Sequence, residues 1–101
     1  MEVLHYGRRK GKTTLALKML RDSDDGIMIC HIGNKAHQMK NENKDVSHRI
    51  FNAYSPKIHL SGIKFNKAII DDADCIPLST LLEWINWLQE RNINITITTS
   101  V

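Results

Sequence analysis

Val3-Leu4-His5-Tyr6-Gly7-Arg8-Arg9-Lys10-Gly11-Lys12-Thr13 is the stretch that decides the fold of this chain of 101 residues. Residues 3–6 have the pattern of a short apolar strand, and residues 7–11 form a tight, strongly basic turn bracketed by two glycines. From Lys12 to Arg21 the apolar residues recur at helical spacing, and the polar cluster at 22–26 ends the pattern. The sequence therefore predicts strand, glycine-rich turn and helix in direct succession.

A turn in this context is suited to bind phosphate. Backbone N–H groups in a glycine-rich turn converge on phosphate oxygens, and the N-terminus of the following helix adds positive potential. Lys12 is placed to neutralise the β- and γ-phosphates and Thr13 to bind Mg²⁺. The pattern G-x-x-x-x-G-K-[ST] would put its first glycine at Tyr6, whereas here the nearest glycine is Gly7. The alternative is a basic turn that contacts nucleic acid without binding a nucleotide.

The overall composition is that of one soluble globular domain over residues 1–101. There are 14 Lys or Arg against 11 Asp or Glu, and 42% of the residues are hydrophobic. Residues 1–50 hold ten of the basic and six of the acidic residues, so an anion is expected to bind at the N-terminal end. No segment approaches the about 18 apolar residues of a membrane span or resembles a secretory signal. We expect a cytoplasmic protein.

The rest of the chain continues the alternation of strands and helices. Strands are predicted at 27–32, around Ile58 and Leu60, at 67–70 and at 93–99. Helices are predicted around 36–54, where residues 41–44 could instead form a loop or a frayed turn, and from Leu78 to Arg91. Alternating elements of this kind form βαβ units. The sequence predicts a small three-layer α/β/α domain with a mostly parallel sheet, whose active edge lies at the carboxyl ends of the strands.

A second site signal is Lys67-Ala68-Ile69-Ile70-Asp71-Asp72-Ala73-Asp74, an apolar strand that delivers carboxylates at its carboxyl end. Mg²⁺ prefers oxygen ligands and keeps several waters, so Asp71 would bind it, usually through water. Asp72 would hold or deprotonate an attacking water. By itself an acidic turn after a strand is usually solvated surface, but its pairing with the phosphate-binding turn favours a site.

Together these motifs resemble the core of the additional-strand class of P-loop NTPases, which includes RecA-like ATPases, helicases and the large-subunit ATPases of viral DNA-packaging terminases. Gly-Arg-Arg-x-Gly-Lys-Thr is similar to the terminase and helicase form of Walker A, and residues 61–74 are similar to the stretch around Walker B. Ile95-Thr96-Ile97-Thr98-Thr99-Ser100 resembles the hydroxyl-rich coupling or sensor strand of these families. The resemblance implies a minimal P-loop NTPase core.

Site residues follow from this resemblance. It implies that Asp71 and Thr13 hold Mg²⁺, that Asp72 takes the place of the catalytic Glu, and that Thr98, Thr99 or Ser100 senses the γ-phosphate. Lys12 would act on the transferring phosphate together with an arginine finger in cis, Arg8 or Arg9. The residues expected to bind ATP are Gly7, Arg8, Arg9, Lys10, Gly11, Lys12, Thr13, Thr14 and Thr99.

Three departures from the family pattern lead to further expectations. Asp72 is about 1.5 Å shorter than Glu, which predicts slow hydrolysis because a displacement of about 1 Å costs about 10²-fold in rate. The sequence ends at Val101 after the sensor-like strand, so the first strand should have an open edge, covered by a second copy or a partner protein. The alternation of Ile93, Ile95 and Ile97 with polar residues predicts a half-covered strand, although the family places this strand centrally.

Three functions remain open from the sequence. The first is a Mg²⁺-dependent ATPase that serves a viral-type nucleic-acid process such as packaging, unwinding or replication, in the host cytoplasm if the protein is viral. The second is a nucleotide-binding regulator or assembly module with little turnover. The third is a small kinase of the thymidine-kinase kind, although no zinc-binding cysteine set or nucleoside lid is evident.

Other residues have structural interpretations. Cys30 and Cys75 lack metal or redox spacing and are expected to be buried, reduced thiols. Trp84 and Trp87 lie on the last predicted helix and are expected to pack in the core, with at most one exposed. Four histidines have no ligand spacing and are expected to be surface or satisfied core residues: His31, His37, His48 and His59.

Overall fold

The computed structural model describes residues 1–5, 12–31, 33–60 and 62–99; the side chains of residues 12, 13 and 33–35 lie outside this description. Within these residues the strands are β1 (Glu2–His5), β2 (Gly26–Cys30), β3 (Ile50–Asn52), β4 (Lys67–Ile70) and β5 (Asn94–Thr99). The helices are α1 (Lys12–Asp22), α2 (Gly33–Glu42) and α3 (Leu78–Glu90).

All of the described strands belong to one sheet with the order β1-β5-β4-β2-β3, and every neighbouring pair is parallel. The predicted α/β class and parallel sheet are therefore confirmed. β5 lies between β1 and β4, so the strand that precedes the basic turn and the strand that precedes the aspartates are separated by one strand. All three carboxyl ends meet at one edge of the sheet.

Helices cover both faces of the sheet, because successive side chains of each strand point to opposite faces. On one face, Trp84 and Leu88 of α3 pack against alternate residues of β2, β4 and β5. On the other face, α1 and α2 pack against the remaining residues of β2 and β4. This arrangement gives the three layers that the sequence predicts.

The end of α3 is fixed by a left-handed residue. Asn92 has φ 57°, a conformation that asparagine tolerates better than most residues. The amides of Asn92 and Ile93 donate to the carbonyls of Gln89 and Leu88, which satisfies the last turn of the helix. The chain then enters β5 directly.

The helix predicted around 36–54 is wrong over its second half. α2 ends at Glu42: the amide of Asn43 donates a last i→i−4 bond to the carbonyl of Met39, and the side-chain amide of Asn43 donates to the same carbonyl. After a 3₁₀ turn at Ser47–Arg49, residues 50–52 add β3 to the free side of β2. The helical spacing of their apolar residues was misleading, because the edge of a sheet offers these β-prone residues a full hydrogen-bond ladder.

Two further predictions about strands are also wrong. Residues Lys57–Leu60 form a 3₁₀ turn in place of a strand; its Leu60 is buried in the α3-side core while Ile58 is exposed. β5 is not half-covered: residues 95–98 are all buried, because β1 and β4 flank it, α3 packs against Ile95 and Ile97, and α1 also contacts the strand. The polar side chains in β5 are thus buried, which requires partners for them.

The predictions for the cysteines are partly confirmed, and those for the tryptophans are confirmed. Cys30 is buried as predicted, but Cys75 is exposed because it lies in a 3₁₀ turn beyond the end of β4. Trp84 is fully buried and Trp87 is half-buried against Phe65, which confirms their core role. Among the helices of the described ranges, none has the length and apolarity that crossing a bilayer requires.

Candidate functional site

The candidate site lies where β2, β4 and β5 end at the carboxyl edge. The parallel register pairs Ile70 with Ile97 on one side and with Ile29 on the other. Continuing it by one residue brings Asp71 level with Thr98, and continuing it by two residues brings Asp72 level with His31. The amide of Asp71 still donates to the carbonyl of Ile29 at 2.9 Å, so the ladder extends into the site.

Asp71 is completely buried. The Thr98 hydroxyl donates a hydrogen bond to Asp71 Oδ1, with 2.7 Å between the oxygens. This distance is typical of a strong bond from a hydroxyl to a charged oxygen. Carboxylates are rarely buried without compensating partners, so Thr98 has a defined role in holding this one.

Asp72 has a left-handed backbone conformation, with φ 57° and ψ 46°. Few residues adopt this conformation, which costs about 1–2 kcal/mol for a side chain with a Cβ, and aspartate is among those that adopt it. Its amide donates to Thr98 Oγ1 at 3.1 Å, so one hydroxyl serves both aspartates. The residue is only 4% exposed. Strained, buried residues of this kind cluster at functional sites.

His31 lies next to Asp72 on the opposite side from Thr98. Its Nδ1 is 3.8 Å from Asp72 Oδ2, and its side chain is 19% exposed. Nδ1 itself is buried and has no hydrogen-bond partner among the described residues. The prediction that the histidines are surface or satisfied core residues is therefore wrong for His31.

The carboxyl ends of β1 and β5 carry a further polar contact. His5 Nδ1 lies 3.2 Å from Thr99 Oγ1, and these residues are register partners in the two strands. Thr99, one of the residues expected to bind ATP, thus lies one strand away from Asp71 and beside the strand that leads into the basic turn. Thr98, another candidate sensor, is directed at the aspartates.

Much of the predicted phosphate site falls outside the described residues. This applies to Gly7, Arg8, Arg9, Lys10 and Gly11 and to the candidate sensor Ser100. Lys12 and Thr13 begin α1, as predicted, but their side chains are also outside the description. Thr14 is exposed in the first turn of α1. The structure therefore brings together Asp71, Asp72, Thr98 and His31, and it does not describe the contacts of the basic turn.

The donor atoms at this edge fit a hard cation. Asp71 and Asp72 offer carboxylate oxygens at the end of a buried strand, the ligand type that Mg²⁺ prefers. Donor atoms of Asp72, Asp74 and Cys75 also lie within 4.8 Å of one another, but Asp74 and Cys75 are exposed and a thiol is a poor Mg²⁺ ligand. The buried oxygen donors are thus the better candidate metal ligands.

Comparison with known proteins finds no matching family model, no matching curated sequence and no matching solved structure. A function can therefore be inferred only from the site itself.

His31 was not predicted as a site residue, although one signal was available: it is the polar residue in an otherwise apolar strand pattern, near that strand's carboxyl end.

Proposed function

We propose that the chain is a Mg²⁺-dependent ATPase with a minimal P-loop core of the additional-strand class, serving a viral-type nucleic-acid process. The observation that carries the proposal is the hydrogen bonding of Thr98 in β5 to both aspartates at the end of β4. The resemblance implies a hydroxyl-rich strand in a central position, and β5 lies between β1 and β4 with both faces covered. The position of β5 therefore supports the proposal.

The spacing of the elements around the basic turn also supports a phosphate-binding role. β1 ends at His5 and α1 begins at Lys12, so the glycine-rich residues connect the carboxyl end of an edge strand to a helix N-terminus. Both features favour an anion at this end of the sheet. The aspartates lie at the same edge, two strands away. A triphosphate bound by the turn would extend along the edge towards them.

Each residue has a separate chemical task in this proposal. Lys12 binds the β- and γ-phosphates, and Asp71 with Thr13 would hold Mg²⁺, which supplies charge neutralisation on the phosphate oxygens. Asp72 accepts a proton from water as the water oxygen bonds to the γ-phosphorus and the bond to the β-phosphate oxygen breaks. The products are ADP, inorganic phosphate and the proton that Asp72 releases.

A nucleotide-binding regulator with little turnover is the second candidate. The observation that favours it is Asp72 itself, which is shorter than the glutamate of the family pattern and is held in a fixed backbone conformation. A carboxylate that stops short of the attacking water would bind Mg·ATP well and hydrolyse it slowly.

Phosphate release and isothermal titration separate these candidates. We expect Asp72→Asn to keep Mg·ATP affinity and to lose hydrolysis by about 10²-fold or more, since a base acts in the transition state. Asparagine also tolerates the left-handed backbone, so the variant removes charge without adding strain. Asp74→Asn, an exposed aspartate two residues further on, is the matched control.

Lys12→Ala tests the phosphate-binding turn. We expect it to abolish triphosphate binding without loss of stability, because a lysine at a helix N-terminus opposes the helix dipole. Lys18→Ala, an exposed lysine on the same helix, is the control. Unchanged ATP affinity in a folded Lys12→Ala variant would exclude the P-loop assignment. Tight binding with no turnover above the Asp72→Asn background, even with candidate nucleic acids present, would favour the regulator.

A further inference from the structure

His31 contributes a buried nitrogen with no hydrogen-bond partner in the described part of the chain, and the proposed ATPase mechanism gives this nitrogen no role. Nδ1 has no hydrogen-bond partner among the described residues, and the nearest carboxylate oxygen of Asp72 is 3.8 Å away. Buried polar atoms are almost always hydrogen-bonded, because an unpaired one loses its bonds to water without replacement. An exception beside a buried carboxylate needs an explanation, and a bond that forms only in a ligand complex is one.

Both groups are held on rigid parts of the fold. His31 directly follows Cys30, whose carbonyl accepts the amide of Ala53 at 2.7 Å and so extends the β2–β3 ladder to the end of β2. The backbone of Asp72 is fixed by the hydrogen bond that its amide donates to Thr98 Oγ1. The backbones that carry the imidazole and the carboxylate are therefore held by the sheet, so the 3.8 Å between His31 Nδ1 and Asp72 Oδ2 can change only through rotation of the side chains.

The position of this pair also favours a ligand. The chain that leaves β2 enters α2 on one face of the sheet, whereas the chain that leaves β4 enters α3 on the other face. The two connections diverge between His31 and Asp72. In open α/β sheets, ligands bind in the crevice outside the carboxyl ends of strands at such a point.

We propose that His31 is a positioning residue for Asp72: when Mg·ATP binds, Nδ1–H donates a hydrogen bond to Asp72 Oδ2. The other carboxylate oxygen then faces the attacking water. Catalytic hydrogen bonds are often long in the free enzyme and shorten in the substrate complex, which fits a gap of 3.8 Å. This inference rests on the proposed ATPase function and adds a specific partner for its base.

Steady-state kinetics test the role. We expect His31→Leu to lower kcat by about 10- to 100-fold with little change in the KM for ATP, because the carboxylate is misaligned while the nucleotide site is intact. His31→Asn should recover most of the rate, since its amide N–H lies near the position of Nδ1. In an Asp72→Asn background, His31→Leu should have no further effect, because His31 acts through Asp72.

Thermal unfolding distinguishes positioning from a merely structural role. We expect His31→Leu to unfold at or above the wild-type temperature, because it replaces a buried nitrogen that has no partner among residues 1–5, 12–31, 33–60 and 62–99 with an apolar group. His59→Leu, at an exposed histidine, is the matched control. A wild-type kcat in His31→Leu, or an equal loss of rate in the Leu and Asn variants with lowered thermal stability, would overturn the proposal.

A binding experiment separates this inference from the ATPase proposal. On adding Mg²⁺ and a non-hydrolysable ATP analogue, we expect a protected Nδ1 proton of His31 in the NMR spectrum of wild type and its absence in Asp72→Gly, which removes the acceptor and tolerates the left-handed backbone of this position. If calorimetry shows that the analogue binds but the His31 signal does not change, the inference fails and the nucleotide site survives. If calorimetry shows no binding, the proposed function fails and this inference with it.

Discussion

The hydroxyl of Thr98 donates a 2.7 Å hydrogen bond to the buried carboxylate of Asp71, across the junction of two parallel strands. The same hydroxyl oxygen accepts the amide of Asp72 at 3.1 Å. One side chain therefore orients a candidate metal ligand and fixes the backbone of a candidate base. The geometry of the site depends on the pairing of β5 with β4, which aligns Ile97 with Ile70.

Thr98→Val should destabilise the fold by about 2 kcal/mol, because it removes a buried hydrogen-bond acceptor and a donor to a carboxylate while keeping the volume. Thr98→Ser keeps both bonds and should cost about 1 kcal/mol for the lost methyl group. Urea denaturation measures both values. A smaller loss in the Val variant than in the Ser variant would show that the hydroxyl contributes little.

Asp71→Asn should lower the affinity for ATP measured with Mg²⁺ more than it lowers the affinity measured without metal. A neutral amide is a weaker Mg²⁺ ligand than a carboxylate, and its oxygen still accepts the bond from Thr98. Calorimetric titrations with Mg²⁺ and with EDTA give the comparison, with Asp74→Asn as the control. An unchanged ratio of the two affinities would remove Asp71 from the proposed metal site.

Arg49 should matter to stability and not to nucleotide binding. Its guanidinium donates to the carbonyls of Gly26 at 2.7 Å and Leu20 at 2.8 Å, and also to that of Ser23. These bonds join the 3₁₀ turn before β3 to the end of α1 and the amino end of β2, at the opposite edge from the aspartates. Arg49→Ala should cost about 2–3 kcal/mol in urea denaturation because it removes charged hydrogen bonds.

Arg49→Lys is the control for this prediction, since one ammonium cannot satisfy the same three carbonyls and should recover only part of the loss. The ATP affinity of folded Arg49→Ala should equal that of wild type. A loss of affinity at unchanged stability would contradict the structural role.

The exposed pair of Arg21 and Asp45 predicts a pH dependence of stability. The Arg21 guanidinium donates to the Asp45 carboxylate at 2.8 Å, and this bond holds the pKa of Asp45 below its ordinary value of 3.8. A lowered folded-state pKa contributes stability above the unfolded value, and that contribution disappears as the pH falls through the folded value. Asp45→Asn should therefore be less stable than wild type at pH 7.

Thermal unfolding between pH 7 and pH 2 tests this sign. The difference between Asp45→Asn and wild type should close below about pH 4, and it should shrink in about 1 M salt because exposed charges are screened. A difference that persists at pH 2 would assign the effect to packing.

The exposed edge of β1 leads us to expect that the chain associates with a second copy or with a partner protein. Among the described strands β1 pairs with β5 alone, and Glu2, Val3 and His5 are exposed. Unpaired N–H and C=O groups at a sheet edge are a template for another chain, so we expect a homo-oligomer or a partner complex that covers residues 3–5. Sedimentation and hydrogen exchange are the measurements. A monomer at high concentration, with and without Mg·ATP, whose amides at 3–5 resist exchange would contradict this expectation.

Much of the fold could be predicted from local patterns in the sequence. The strand predicted at 67–70 is confirmed as β4, and the helix predicted from Leu78 is confirmed as α3. Both segments have a period that fits one kind of element, and both end at a clear signal: Asp71 for the strand and Asn92 for the helix. The positions of the aspartates at a strand end followed directly from this.

The strand at residues 50–52 could not be predicted from local pattern, because the spacing of Ile50 and Phe51 fits a helix. The hydrogen-bonding groups that favour a strand instead belong to β2, about 20 residues earlier in the sequence. The same reason explains β5. Its alternation indicates one apolar face, and only the pairing with β1 and β4 and the contact with Asp71 make burial of Thr98 favourable.

By itself the sequence determined the class of the fold and the strand-end position of Asp71 and Asp72, because hydrophobic period and turn residues act locally. The tertiary structure alone decided the strand order, the sharing of the Thr98 hydroxyl by the two aspartates and the placement of His31 beside Asp72. These features depend on the register between strands that are distant in the chain. Register is set by the packing of the whole sheet against its helices, and no local pattern encodes it.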